Sequence, residues 1–233
     1  MKKMGTAWSK DLRDKNVDFF HAKDHWNPKC AYYHRLSMTK RKILLAGLVG
    51  HVRHFSQAGI TVSIKPEEYK GMTSNAFRSD WGAPYAFAIQ VLLLLIYLDL
   101  NDRERTHEEV NILIEEGHRN LGQVAVIIPK MKGNDDSFLR LNSYGHGSKK
   151  GNPILQAADM LAYSAGQHIV SGDSRMYRQL ASRVEPRQFQ RLHITQEHIS
   201  MLKAGIDASS ERKRQERLQG WLRGGRESVT RAV

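Results

Sequence analysis

The chain is predicted to be an α/β protein on three observations. ITVSI at 60–64 alternates as a strand, and VNILIE at 110–115 is a short apolar run of strand length. A long apolar segment opening at Pro84 lies between them as a helix, and a 3–4 apolar rhythm marks another helix over 37–55. Strands alternating with helices build layered α/β domains. The strands at 60–64 and 110–115 are therefore expected to be neighbours in one sheet, with the 84–100 helix packed against it.

Taken in order, SMTKRKILLAGLVGHVRHF (37–55) has Ser37 or Thr39 as its N-cap. Gly59 breaks that helix, and Pro66 stops the strand that follows. The apolar run AFAIQVLLLLIYL at 86–98 is 13 residues long and holds Gln90. That is shorter than the roughly 20 residues a bilayer demands, so it reads as a core helix and no membrane association is expected. VNILIE is mostly apolar, which puts it inside a sheet. A helix from about Asn120 to Ile128 should end at Pro129, and SFLRLNSYGHG (137–147) is a weaker strand. NPILQAADMLAYSAGQ (152–167) has helical spacing with Pro153 in its first turn, and 174–203 reads as mostly helical. Residues 1–205 are taken as a single domain, and 206–233 as a basic tail, mobile or helical.

Lys and Arg outnumber Asp and Glu by 36 to 24, a net charge of +12, which favours polyanionic partners and nucleic acid above all. The charge is unevenly spread. Residues 1–42 carry eleven basic and four acidic side chains, whereas 99–116 carry seven acidic and two basic ones. An acidic patch in a basic chain suits a metal-dependent nuclease; DLNDRERTHEE at 99–109 also reads as an ordinary solvated loop. Cys30 is the single cysteine, which excludes an internal disulfide and most cysteine zinc sites. No secretory signal follows the first lysines, so the expected compartment is the cytoplasm.

Three stretches could carry chemistry. DFFHAKDHW (18–26) offers His21, Asp24 and His25; His21 and His25 could share a helix face, but no Glu follows the first His as a zinc-protease helix requires. ILIEEGHRN (112–120) runs an apolar strand into Glu115, Glu116 and His118, and ligands of α/β sheets bind beyond strand ends. Alternation puts Glu115 on the face of Leu113. In the 152–167 helix, Gln156 and Asp159 lie three apart and can project from one face. A carboxylate on so apolar a helix either faces solvent or meets a cation. A strand-end carboxylate with a helix carboxylate suggests a divalent-cation site.

FFHAKD, IEEGHRN and ILQAADMLAY, in that order, resemble the domain-of-unknown-function-3800 family over roughly residues 5–170. The resemblance implies a ribonuclease H-like fold, a mixed sheet flanked by helices. It also implies carboxylates that gather magnesium (or manganese) for nucleic-acid cleavage. Glu115 and Asp159 are then the metal-ligand candidates, with Glu116 beside them, and Asp24, His21 and His118 line the site. Lys23, Arg119, Lys149 and Lys150 are the candidate contacts to nucleic acid. One departure stands out. The family begins with a strand ending in Asp-Glu-Ser-Gly, and here that strand is missing, so the fold is expected to be N-terminally incomplete. Either the reading frame is truncated, or Asp24 takes the place of the lost carboxylate, or activity is lost. The leading expectation is a metal-dependent nuclease, active or inactive according to which of these holds. The alternatives are a non-catalytic nucleic-acid-binding protein and a phage-defence or toxin component.

Overall fold

A computed structural model describes residues 2–25, 27, 29–30, 33–132, 139–171 and 189–207. Its elements run α1 (Lys2–Asp14), α2 (Ala22–His25), α3 (Met38–Phe55), β1 (Gly59–Ser63), α4 (Pro66–Met72), α5 (Asn75–Trp81) and α6 (Pro84–Asp102). They continue with β2 (Val110–Glu115), α7 (Leu121–Lys132), β3 (Leu141–Gly147), a 3-10 turn at Lys149–Gly151, α8 (Pro153–Ser171), β4 (Phe189–His193) and α9 (Gln196–Asp207). The chain is thus α/β, as its pattern predicts.

Two compact units share these elements. One comprises Met1–Gly59, Leu113–Glu116 and Gly145–Phe189; the other comprises Ile60–Ile112, Gly117–Tyr144 and Gln190–Val233. The first has a core of Trp8, Phe20, Tyr33, Leu45, Leu48 and Met160, which joins α1, α3 and α8. Its α3 starts where Ser37 accepts the Lys40 N–H, as its sequence predicts. The second unit gathers Tyr69, Phe77, Phe87, Val91, Leu95, Leu98 and Ile194. Helix α6 supplies four of these, which accounts for its apolar length. It is also the one described helix long and apolar enough to cross a membrane, with a mean hydropathy of 1.5 over its apolar window.

Three expectations, and with the first of them the helical reading of 174–203, are corrected here. The strands at 60–64 and 110–115 are not neighbours: among the described residues β1 pairs with β4 and β2 with β3, in separate two-stranded sheets. Each pair is parallel, with Ser63 O accepting from Ile194 N and Gly147 O from Glu116 N. β1 found its partner in a stretch read as helical. FQRLH carries polar Gln190, Arg191 and His193, which hides the strand, while Leu192 and the following Ile194 turn to a buried face. Thr195 then caps α9, with His198 Nδ1 accepting the Thr195 N–H as a capping-box side chain does.

Second, β2 is not interior: Ile114 is buried, but Leu113 is 40% exposed. Third, Pro129 lies inside α7 rather than ending it. Gly117, with φ +92°, makes the left-handed turn that lets the chain leave β2. The expected tail at 206–233 lies outside the described residues from 208 onward.

Candidate functional site

The cation expected opposite Asp159 is Lys149. Asp159 projects from α8 with its side chain 19% exposed, and its Oδ1 lies 3.2 Å from Lys149 Nζ. Glu115, the last residue of β2, puts Oε1 3.0 Å from the same nitrogen. One nitrogen so close to both confines the two carboxylate oxygens to within about 6 Å, inside the reach of a metal pair. Burial alone would lower the Lys149 ammonium, but its hydrogen bonds and attraction to Glu115 and Asp159 outweigh that and hold it above the usual lysine range.

Local sequence explains this convergence. The Glu116 N–H donates to Gly147 O, which sets the end of β2 beside the end of β3. Ser148 caps the 3-10 turn that follows, with its Oγ accepting the Lys150 N–H. Asn152 Oδ1 accepts the Ile154 N–H and starts α8, with Pro153 in the first-turn position that suits it. Gln156, buried on α8, holds three segments together: its Oε1 accepts from Trp8 Nε1 at 2.8 Å and from Phe20 N at 2.9 Å, and its Nε2 donates to Lys149 O at 2.7 Å. One turn on, Asp159 Oδ2 accepts the Ala22 N–H at 3.0 Å, capping the first turn of α2. Gln156 and Asp159 therefore share a face, as their spacing predicts, and that face holds the 20–22 stretch in place.

Across that stretch, His21 Nδ1 lies 2.7 Å from Asp24 Oδ2, and both side chains are about a quarter exposed, at 26% and 29%. Tyr33 Oη accepts the His21 N–H. Burial first, with Asp24 and Asp159 adding their charges, pushes the Tyr33 phenol well above its ordinary value, so it stays a neutral donor and acceptor.

His25 does not pair with His21 as a metal ligand. Helix α2 spans only Ala22–His25, and the His25 ring is buried between Phe20 and Tyr33 at 5.3 and 5.2 Å. Burial, and then the nearby Arg41, lowers its pKa to about 4. Above pH 6.5 the imidazole is neutral both folded and unfolded, and its contribution to stability is complete. As pH falls from 6.5 towards 4 the unfolded chain takes up a proton that the folded chain refuses, at a cost of about 1.4 kcal/mol per pH unit. Urea unfolding at pH 7 and pH 4.5 should therefore show a smaller loss for His25→Phe than for the wild type, by about 2–3 kcal/mol. Equal losses would mean the imidazole is not held neutral.

The remaining candidates are dispersed. Glu116 and Lys23 are exposed. Lys150 sets its ammonium 5.8 Å from the Phe19 ring centroid. His118 and Arg119 belong to the second unit, where His118 stacks on Tyr85 at 3.7 Å and accepts the Asn120 N–H. Among the described residues, no three His, Cys, Asp or Glu side chains form a group able to hold a metal ion.

Sequence reasoning missed Arg41 altogether. It is buried on the apolar face of α3 and donates to the carbonyls of His25, Asn27, Tyr33 and Leu36. Its signal was an arginine in register with Leu44, Leu45 and Leu48. Comparison of the chain with family models, curated proteins and solved structures returns no match.

Proposed function

We propose that this is a cytoplasmic, ribonuclease H-like protein acting on nucleic acid, with Glu115 and Asp159 as the paired carboxylates of a phosphodiester-cleaving centre. The observation that carries the reading is the convergence of a strand-end and a helix carboxylate on one cation, the Lys149 ammonium. That ammonium is a stand-in by charge, and hard carboxylate oxygens suit magnesium or manganese. Glu115 and Asp159 would hold the ion, which supplies water activation and charge stabilisation at the leaving oxygen.

The side chains around the pair have their own work. Lys149, once released from the carboxylates, is positioned to hold a phosphate oxygen as a point charge. With Nδ1 engaged by Asp24, His21 is oriented to move a proton at Nε2. Asp159 also ties the 20–22 stretch to α8, so the same carboxylate that binds a cation positions His21.

A specific observation favours a second reading, a non-catalytic nucleic-acid binder: Lys149 already neutralises the carboxylate pair. End-labelled DNA and RNA incubated with magnesium or manganese separate the two. Metal-dependent cleavage should appear and should fall on the order of 100-fold or more in Asp159→Asn. Binding without cleavage under every condition selects the binder, and neither binding nor cleavage removes both.

A further inference from the structure

Beside the carboxylate centre, the first unit contains an open cleft of about 370 Å³, within the size range of small-ligand sites. Pro153 gives it an apolar face, over Leu12 and Val17 that are nearly buried at 3% and 4% exposure, while Arg13 and Lys150 bring two cations to it and Asp18 a single carboxylate. The cleft and the centre share a framework. Lys149 and Lys150 are consecutive, yet the first turns its ammonium to Glu115 and Asp159 while the second lines the cleft. Gln156 likewise lines the cleft, and Asp159, one turn further along α8, faces the centre. Arg13 makes no ion pair among the described residues, so its guanidinium is not already neutralised.

We infer that this cleft binds one unpaired nucleotide of a nucleic-acid strand next to the cleavage centre, with the phosphate on Arg13 and Lys150 and the base against the face of Pro153. The inference rests on the proposed function and names where that function takes hold of its substrate. A proline face with a cationic rim matches a nucleotide, which is an apolar-faced ring joined to an anion. Asp18, which repels phosphate, is suited to accept from a base amino group or a sugar hydroxyl. A duplex cannot present its stacked base to such a cleft without flipping it out, so single strands should be preferred.

The test uses the full chain without divalent metal, so that binding is read apart from cleavage. Fluorescence anisotropy measures affinity for a labelled single-stranded DNA, its RNA counterpart and the matching duplex over a range of salt. Arg13→Ser with Lys150→Ser removes the cleft's cations; Lys40→Ser with Lys42→Ser removes equal charge from exposed positions on α3. The cleft pair should weaken single-strand binding by about tenfold or more and reduce the logarithmic salt slope by about 0.7, the share of the one phosphate that they neutralise. The α3 pair should do neither. Lys150→Gln alone gives half the effect with the least disturbance to folding. Equal weakening by both pairs, or by neither, overturns the cleft while leaving nucleic-acid binding intact. A wild type that binds no oligonucleotide at low salt overturns the nucleic-acid reading and the cleft with it.

Discussion

Replacing Gln156 with alanine should destabilise the first unit by about 4 kcal/mol, a large effect for a residue with no charge. The Gln156 side chain is 2% exposed and makes three hydrogen bonds, to Trp8, Phe20 and Lys149. Alanine leaves two buried N–H donors and one carbonyl without partners, each costing about 1–3 kcal/mol, and opens a cavity beside Trp8. The bonds are not independent, because Trp8 and Phe20 share one oxygen, so the costs do not simply add. Gln156→Glu keeps an acceptor for both donors but gives up the bond to Lys149 O, and it buries a charge. It should fall between alanine and wild type only if that carboxyl is protonated, and so should recover as pH falls. Urea unfolding followed by tryptophan fluorescence reads both variants. A loss below about 1 kcal/mol for Gln156→Ala would mean that α8 is held by packing alone.

This dependence on one amide explains what could be read in the sequence and what could not. Helices α3 and α8 were legible because apolar residues recur along them at a helical interval, and α6 because its continuous apolar run is too long for a strand. Strand pairing was not. β1 and β2 look alike as short strand-like runs, but their partners are chosen by residues 129 and 31 positions further along, and no local pattern encodes that choice. The site divided in the same way. Glu115 and Asp159 stood out because a carboxylate at the end of a strand or on an apolar helix conflicts with its surroundings. Lys149 was read as a contact to nucleic acid and not as the partner of the carboxylates, since a lysine in GSKKGN has no local conflict to betray them. His25 sits beside His21 and Asp24 in the chain and reads like them, yet the fold sends its ring into the core.

Exchanging Lys149 for methionine should cost about 2 kcal/mol of stability at neutral pH, between the values for surface and buried ion pairs, since its side chain is 18% exposed. Methionine fills much of the same volume, so the loss would report charge rather than packing. Glu115 and Asp159 would then face each other with no cation between them, and repulsion raises the pKa of at least one. A carboxyl whose folded pKa exceeds its unfolded value favours the folded state as it protonates. The deficit of Lys149→Met should therefore shrink on acidification, against the wild-type trend set by His25, where acid destabilises. Magnesium or manganese should do at neutral pH what acid does at low pH, by occupying the place of the ammonium. At a hundredfold excess over the dissociation constant this is worth about 2.7 kcal/mol, so the metal should raise the melting temperature of Lys149→Met more than that of the wild type. Adding Asp159→Asn to Lys149→Met should cancel both the acid rescue and the metal rescue, because one carboxylate neither repels nor chelates as a pair does. If Lys149→Met is as stable as the wild type and indifferent to metal, Glu115 and Asp159 are solvated surface charges and the cleavage centre has no foundation. If the wild type responds to metal as strongly as the variant, ions bind without displacing Lys149, and its ammonium belongs to the substrate phosphate from the start.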